Sequence, residues 1–415
     1  MFAVGVDVSN GRSTVAVLRS KTEIIIKPFD VLHTVDGLKA LKDKLSALKG
    51  DVRIVMEHTG RYYESIAQYL HNAGFFVCAL NPLLIKRYGA DSLRKIKTDK
   101  ADAVKIAKYA LDNWHKLRQY DCMDETRYTL KTLHRQYQMH TKTKVALTNN
   151  LIALLEQNFP GVNKLFTSPT RSDGSQKWVD FVNEFWHIDC VSKLSLEAFT
   201  KKYQKWCENH EYIFSAEKAA QIHAYACQHI ALTKKSSVAK MMVKEAVTQL
   251  QTISRTVEVY RAEMNRLASQ LPEYDAVISL FGVGTSIGPQ LMAEIGDPCS
   301  FARGASLVAF AGNDPGKNAS GDAYTKSNPI SKRGSPYLRK TLFVLMKILL
   351  QSKNVDDPVY QFLMKKKSEG KPYHVYMTAG MTKFLRIYYG RVRDSLKEKG
   401  LWTQPGTHDK TTGQL

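Results

Sequence analysis

The chain has 415 residues, of which 44% are hydrophobic and 24% are charged, and this composition argues against a disordered protein and predicts two or three folded domains. Lysine and arginine total 60 against 39 aspartates and glutamates, so the net charge of +21 indicates a polyanionic partner, above all nucleic acid. The sequence has no CxxC pair and no apolar run of about 18 residues, which argues against a zinc ribbon and a membrane span, so we expect a cytoplasmic protein with no membrane partner.

Residues 1–120 read as strands that alternate with helices. Hydrophobic alternation on both sides of the turn SNGR, and again in EIIIKPF, predicts three antiparallel strands at the start. A helix at about Val35–Leu48, the strand DVRIVME, a helix at Tyr62–Asn72 and a strand at Gly74–Leu80 follow, and a further helix carries Asp99 and Asp102. This order predicts an α/β domain with a partly parallel sheet.

Residues 121–271 carry two heptad patterns, at about Leu130–Leu154 and Val243–Leu271. They predict long coiled-coil helices, which pair either with each other or with a second copy of the chain. Polar His140 and Lys144 interrupt the first pattern. Between the two patterns, residues 166–237 are expected to form a helical insertion, in which we find no residues that indicate chemistry.

Residues 272–405 are predicted to form a mainly helical domain, followed by a polar tail at 406–415. The segment Leu280–Phe301 resembles a helix-hairpin-helix element, in which the backbone N–H groups of Gly282 and Gly284 would face a phosphate; a plain glycine cap is the alternative. From Lys326 to Lys399 there are 17 lysines and arginines against five acids, which favours DNA contact. Most aromatic residues among these charges are expected to face the core.

Four acids stand out because each lies where a strand or helix would present it. Asp7 sits inside the apolar strand VGVDVS, where a carboxylate is costly without a cation, and Glu57 ends the strand in RIVME. Asp99 and Asp102 are three residues apart on one helix face. Taken singly, Asp7 is better explained by a backbone donor, and the helical pair by a lysine-paired surface.

Taken together, the four acids follow the order in which ribonuclease-H-like nucleases place metal-binding carboxylates. Oxygen ligands of this kind favour Mg²⁺ or Mn²⁺, which assist phosphodiester cleavage. The neighbouring Lys97 and Lys100 are expected to pair with the acids or to hold DNA phosphates.

A loop rich in glycine, asparagine and serine offers a nucleophile. Ser320 lies in an SG pair within this loop, and Ser327, Ser331 and Ser335 are equal rivals by sequence alone. Four cations that follow the loop are candidates for neutralising charge on a phosphate: Lys332, Arg333, Arg339 and Lys340.

The segments VGVDVS, MEHTGRYYESIAQYL, LNPLLIKRYGADSLRKIKTDKADA and ISKRGSPYLRK resemble the DEDD-type insertion-sequence transposases, a family that includes Piv-type DNA invertases and bridge-RNA-guided recombinases. The resemblance covers about residues 2–156 and 277–393. It implies a ribonuclease-H-like, RuvC-like N-terminal domain whose DEDD acids are the four described above. It also implies that Ser320 is the nucleophile and forms a covalent 5′-phosphoserine link to DNA.

The resemblance implies a nucleoid-associated transposase that cuts and rejoins double-stranded DNA at element ends and targets. It implies a homo-oligomer, dimer or tetramer, held through coiled coils, and guidance by a structured bridge RNA. A Piv-type site-specific invertase is the nearest alternative. A ribonuclease-H-like nuclease that hydrolyses DNA without a covalent intermediate, and a basic scaffold with inactive carboxylates, are the others.

Overall fold

The computed structural model describes residues 1–58, 60, 62–88, 98–120, 124–315, 319–320, 323–324 and 329–403. The predicted polar tail at 406–415 lies outside these residues. The chain divides into two compact units, Met1–Cys122 and Met123–Leu415. The first is α/β and the second almost entirely helical, which confirms the predicted fold class at this level. Among the described residues, no helix is both long enough and apolar enough to cross a membrane.

The first unit is built on a five-stranded sheet. Its strands are β1 (Phe2–Val8), β2 (Arg12–Leu18), β3 (Ile24–Leu32), β4 (Val52–Glu57) and β5 (Phe76–Leu80), in the order β3-β2-β1-β4-β5. β2 runs antiparallel to both β1 and β3, and β4 and β5 run parallel to β1. The prediction of an antiparallel start followed by a partly parallel sheet is confirmed.

Helices cover both faces of this sheet: α1 (Val35–Ser46), α2 (Tyr62–Asn72), α3 (Pro82–Tyr88) and α4 (Asp99–Asp112). Since side chains alternate along β1, Val4 and Val6 join the core that includes α1 and α2, whereas Ala3 packs with α4. The α4 helix begins after Thr98, whose hydroxyl accepts from the Ala101 backbone N–H at 3.2 Å.

The contact between α4 and β1 depends on a glycine. Gly5 lies on the α4 face of β1, and a Cβ at this position would overlap the Ala103 carbonyl oxygen and lie 2.5 Å from the Ala107 nitrogen. Both obstacles are backbone atoms, so they move only if the helix moves. Glycine therefore allows α4 to lie directly on the strand.

The second unit contains two long helices joined by a cluster of shorter ones. These helices are α5 (Glu125–Asn158), α6 (Lys177–Glu184), α7 (Asp189–Ser192), α8 (Leu196–Asn209), α9 (Ala216–Gln228) and α10 (Ser237–Ala268). The two heptad segments lie on α5 and α10, which pack along each other in one chain, and the His140 ring stacks on that of Tyr260 at 5.2 Å. The α6–α9 helices share an aromatic core with parts of α5 and α10.

The rest of the second unit packs around one apolar core. It contains α11 (Tyr274–Ile278), α12 (Gly284–Ile295), α13 (Gly304–Ala311), the short strands β6 (Ala319–Ser320) and β7 (Ala323–Tyr324), α14 (Pro336–Ser352), α15 (Pro358–Ser368) and α16 (Tyr373–Glu398). The ends of α5 and α10 contribute Leu130 and Met264 to this core. The predicted boundary at 271/272, the coiled-coil geometry and the helix-hairpin-helix element stay predictions.

We expect Gly5→Ala to lower the free energy of unfolding by about 3 kcal/mol, because overpacking a core against backbone forces a shift of α4. Urea unfolding monitored by circular dichroism measures the change. Gly390→Ala is the control, since nothing lies within 4 Å of a Cβ added there and the site is helical, so stability should hold or rise. Equal stability of the two variants would contradict the role assigned to Gly5.

Candidate active site

Asp7 and Glu57 lie side by side on neighbouring parallel strands. Val6 pairs with Met56, so the next residues, Asp7 and Glu57, fall at matching positions near the carboxyl ends of β1 and β4. Alternation puts Asp7 on the same face as Gly5, and Glu57 on the same face as buried Val55. Both carboxylates therefore belong to the face that α4 covers.

The α4 helix brings the other two acids to this face. Asp99 and Asp102 lie in its first turn, directly after the Thr98 cap, and α4 packs on both β1 and β2. Asp102 is half-buried, whereas Asp99 is exposed. The four acids predicted from the sequence thus approach one another at one end of the sheet.

The electrostatics of the acids show how close they are. Burial, followed by the charges of Asp102, Asp99 and Glu57, raises the pKa of Asp7 to about 6. Burial and the charge of Asp102 also raise the pKa of Glu57, against the opposing charge of Lys105. Burial and the charges of neighbouring acids therefore make Asp7 and Glu57 harder to ionise, the usual result of gathering like charges in a partly buried place.

The cations of this unit only partly offset the repulsion. Besides Lys105, the Arg12 guanidinium lies 3.9 Å from an Asp99 oxygen, but more than half of each side chain is exposed. An ion pair of this kind contributes little. The site keeps an excess of negative charge that a divalent cation would neutralise.

The donor set fits a hard cation, although the acids are not drawn tightly together. Among the described residues, no three acidic, histidine or cysteine side chains converge closely enough to hold an ion in their present positions. All four donors are carboxylates, the ligands that Mg²⁺ and Mn²⁺ favour, and their mutual repulsion is relieved by such an ion.

Two residues that the sequence did not single out, Thr14 and Asp30, lie on the strands beside Asp7. Thr14 pairs directly with Asp7 across β1 and β2, and its hydroxyl donates to Asp30 on β3 at 2.7 Å. Thr14 is buried and Asp30 is exposed. The turn SNGR could have identified Thr14 from the sequence, because this turn sets the strand register that places Thr14 opposite Asp7.

The predicted nucleophile lies in the second unit. The Ser320 backbone pairs with that of Ala323 in the two-stranded β6–β7 ladder, and the side chain is not among those described. Two rival serines are already engaged: the Ser331 hydroxyl donates to Asp314 at 2.6 Å, and that of Ser335 donates to Glu294 at 2.6 Å. Ser335 also caps α14. Ser327 lies outside the described residues, as does Lys97.

The basic segment after β7 is fixed by backbone contacts. Arg339 is half-buried, and its Nη1 donates to the carbonyls of Ala311 and Gly334 at 3.0 and 2.8 Å, while burial lowers the pKa of this guanidinium. Lys332 and Arg333 are exposed. Arg339 thus holds the loop, and its neighbours present their charges to solvent.

The remaining residues that are predicted to contact nucleic acid differ in their exposure and in their contacts within the protein. Lys100 and Lys340 are exposed, and the Lys340 ammonium donates to the Gln138 amide oxygen at 2.6 Å. Gly282 has a φ of 76°, and a Cβ there would lie 2.8 Å from Leu349 of α14. Backbone conformation and packing therefore explain why this residue is glycine. Gly284, by contrast, has open space around its α carbon.

Two family models match the chain. Residues 4–160 match the DEDD model of IS110 proteins, which is described as a transposase, and residues 274–361 match the model described as "Transposase IS116/IS110/IS902 family". Together the matches cover more than half of the chain. They include all four acids in the first unit and, in the second, Ser320 with its basic segment.

Individual relatives are similar at low identity over most of their length. A pilin gene-inverting protein of Moraxella lacunata is 22% identical over 346 residues, which cover 83% of this chain and 81% of that protein. An uncharacterized 43.6 kDa protein of insertion element IS110 from Streptomyces coelicolor is 22% identical over 312 residues, 74% of each chain. Thermus thermophilus RuvC is 13% identical, with a TM-score of 0.22, covering 28% of this chain and 96% of its own.

We expect Asp7→Asn to stabilise the metal-free protein near neutral pH. The pKa of folded Asp7 lies near 6 against an ordinary 3.8, so the folded state binds this proton more tightly and the ionised group destabilises it above about pH 6. The expected gain is about 1 kcal/mol near pH 7.5, discounted because nearly half of the group stays in water. It should vanish below about pH 4, where both states are protonated.

Urea unfolding in EDTA across this pH range measures the gain. Asp43→Asn, on the exposed surface of α1, is the matched control and should change stability by less than about 0.5 kcal/mol. Loss of stability in Asp7→Asn at neutral pH would show that the acids do not repel one another.

Proposed function

The chain belongs to the IS110/IS116/IS902 family of transposases, enzymes that cut and rejoin DNA, and from this premise we propose that Asp7, Glu57, Asp99 and Asp102 hold the metal and that Ser320 attacks the DNA. The observation that carries the proposal is the gathering of four carboxylates at one end of the sheet, where burial and then the charges of the neighbouring acids raise the pKa of Asp7 and Glu57. A scaffold protein gains nothing from such repulsion, whereas a metal-dependent site requires this charge.

The acids would hold Mg²⁺ or Mn²⁺ between the carboxyl ends of β1 and β4 and the first turn of α4. When bound, such a cation stabilises charge that develops on the scissile phosphate and favours ionisation of the attacking hydroxyl. Gly5 and the Thr98 cap position the two helical acids. Lys105, close enough to act on Glu57, limits the site's excess of negative charge.

Ser320 would supply the attacking oxygen. Its Oγ forms a bond to the scissile phosphorus, the bond to the 3′ oxygen breaks, and the hydroxyl proton passes to solvent as the 3′ oxygen takes up a proton. The products are a 5′-phosphoserine and a free 3′-hydroxyl. Attack by a 3′-hydroxyl of another strand end reverses these bond changes and joins the strands. Lys332 and Arg333 are exposed in the same segment and would neutralise charge on the phosphate.

Similarity to the Moraxella pilin gene-inverting proteins supports a second candidate function, inversion of a fixed DNA segment. The same acids and serine would serve both. A reporter flanked by the gene's own neighbouring DNA separates the two, because transposition moves the segment to new sites and inversion only reverses it. The bridge RNA and the homo-oligomer stay predictions from the sequence.

We expect Asp7→Asn and Glu57→Gln each to reduce strand cleavage by roughly a thousandfold, because each removes charge that the reaction requires. A plasmid carrying the gene's flanking DNA serves as substrate, with Mg²⁺ or Mn²⁺ and with EDTA as the metal-free arm. Either metal should also raise the melting temperature of the wild type and leave Asp7→Asn almost unchanged. Asp43→Asn is the control. Unchanged cleavage in Asp7→Asn would exclude Asp7 from the proposed metal site, and absence of cleavage in the wild type would favour the scaffold alternative.

We expect Ser320→Ala to abolish the covalent protein–DNA adduct, because alanine has no attacking oxygen. The adduct is trapped by denaturing the reaction in detergent and is detected by gel shift and by mass spectrometry of the phosphorylated peptide. Ser331→Ala is the matched control from the same segment and should retain the adduct. An adduct in Ser320→Ala would exclude this serine as nucleophile, and cleavage without any adduct in the wild type would favour the hydrolytic alternative.

A further inference from the structure

A cavity of about 510 Å³ opens in the first unit along β5, the strand at one edge of the sheet. We name it the tyrosine cavity, and its most telling lining residues are His58, Tyr63, Tyr109, Lys116, Arg118 and Tyr120. Its volume lies in the range of about 300 to 1,000 Å³ typical of small-ligand sites. Neither the four acids nor the predicted DNA contacts lie among its lining residues.

The cavity lies where β4 and β5 end, in the unit that carries the four acids. His58 follows Glu57 directly, and its backbone N–H donates to the Leu80 carbonyl at 2.9 Å, so the pairing of β4 and β5 runs into the cavity wall. Ligands of open α/β sheets bind at the carboxyl ends of parallel strands, where this cavity lies. An occupant would bind in the same unit as the four acids.

One wall is aromatic. The rings of His58 and Tyr63 have centroids 6.3 Å apart, and Tyr63 meets Tyr120 edge-on at the same distance. The Tyr120 backbone N–H donates to the Val77 carbonyl, which ties this wall to β5. A fixed set of rings of this kind offers a stacking surface for a flat base.

The other groups in the lining suit the rest of a nucleotide. Lys116 and Arg118 are exposed at the cavity, and Asn81 and Asn113 add amide groups to its lining. Cations suit a phosphate, and amides suit the edge of a base.

We propose that the tyrosine cavity binds one unpaired nucleotide of the DNA strand on which the protein acts. Its base lies against Tyr63 and Tyr120, and its phosphate lies near Lys116 and Arg118. Unstacking a nucleotide costs a few kcal/mol, which enzymes recover by stacking the base on aromatic side chains. The inference rests on the proposed function, since it takes its ligand from the DNA that the acids cleave.

Photocrosslinking tests the site without needing the natural DNA sequence. The full chain, in EDTA, is mixed with a short oligodeoxythymidylate that carries one 5-iododeoxyuridine, irradiated and digested, and the crosslinked peptides are mapped by mass spectrometry. We expect crosslinks to His58, Tyr63, Tyr109 or Tyr120. Crosslinks confined to other parts of the chain would overturn the proposal. An oligouridylate with 5-iodouridine is the RNA arm, and crosslinking by RNA alone would overturn the choice of DNA.

Matched variants separate binding from the loss of a crosslinkable ring. Tyr63→Leu should lower oligonucleotide affinity and crosslink yield about fivefold or more, the loss expected for one stacked base. Tyr62→Leu, an exposed neighbour on α2, should leave both unchanged. Arg118→Ala removes no ring and should still lower the yield, whereas Lys39→Ala, exposed on α1, should not. Equal yields in the two tyrosine variants, or in the two charge variants, would overturn the proposal.

The crosslinking test of the tyrosine cavity can succeed or fail independently of the cleavage test of the proposed function. Asp7→Asn should lose cleavage and keep the crosslinks, since Asp7 does not line the cavity. Crosslinks in a protein that never cleaves DNA would refute the proposed function alone. Cleavage without crosslinks in the tyrosine cavity would refute this inference alone.

Discussion

The close approach of α4 to β1 at Gly5 is the constraint on which the candidate active site depends. Only a residue without a Cβ lets the Ala103 and Ala107 backbone lie against the strand. The alanines of α4 then bury their small side chains against the sheet, and the first turn of the helix falls beside Asp7. Burial of these apolar groups offsets the repulsion among the acids, because it acts on the same helix that carries two of them.

Buried acids in the second unit are surrounded by hydrogen-bond donors, in contrast to Asp7 and Glu57. Burial alone would raise the pKa of Glu294, but donors from His134, Arg135 and Ser335 lower it to about 2. Glu273 likewise accepts both Nη groups of Arg127, the Nη2 bond being 2.9 Å long. A carboxylate that serves the fold is therefore surrounded by donors, whereas Asp7 and Glu57 are surrounded by other acids.

The sequence predicted those parts of the molecule that follow from local periodicity. Strand alternation and helical spacing located the acids and the elements that carry them. Core-facing aromatics on α16 were also predicted, and Tyr376, Phe384 and Tyr388 are buried. The sequence could not separate Ser320 from Ser331 and Ser335, because the hydrogen-bond partners of these two serines are distant in sequence or belong to another element. Arg339 looked like its basic neighbours for the same reason: its partners are backbone carbonyls brought near by the fold.

The heptads show a further limit of sequence patterns. A seam of apolar residues defines a face but not its partner, and here α5 and α10 cover each other over much of their length within one chain. An oligomer formed by this protein would therefore use surfaces outside that contact, or exchange it between copies. The exposed apolar residues Met139, Val145 and Val259 on these helices are candidates for such surfaces.

Repulsion among the acids also links cation binding to pH. Below about pH 6 a cation must displace a proton from Asp7, so binding weakens as the solution becomes more acidic. Above that pH the four carboxylates are held together by the packing of α4 alone, and an ion that binds them gains the relief of their repulsion. Since Asp99 is exposed and in the first turn, it moves at less cost than Asp7, which is fixed in the sheet between β2 and β4. In the proposed site, the strand acids would therefore define where the cation lies, and the helical acids would adjust to it.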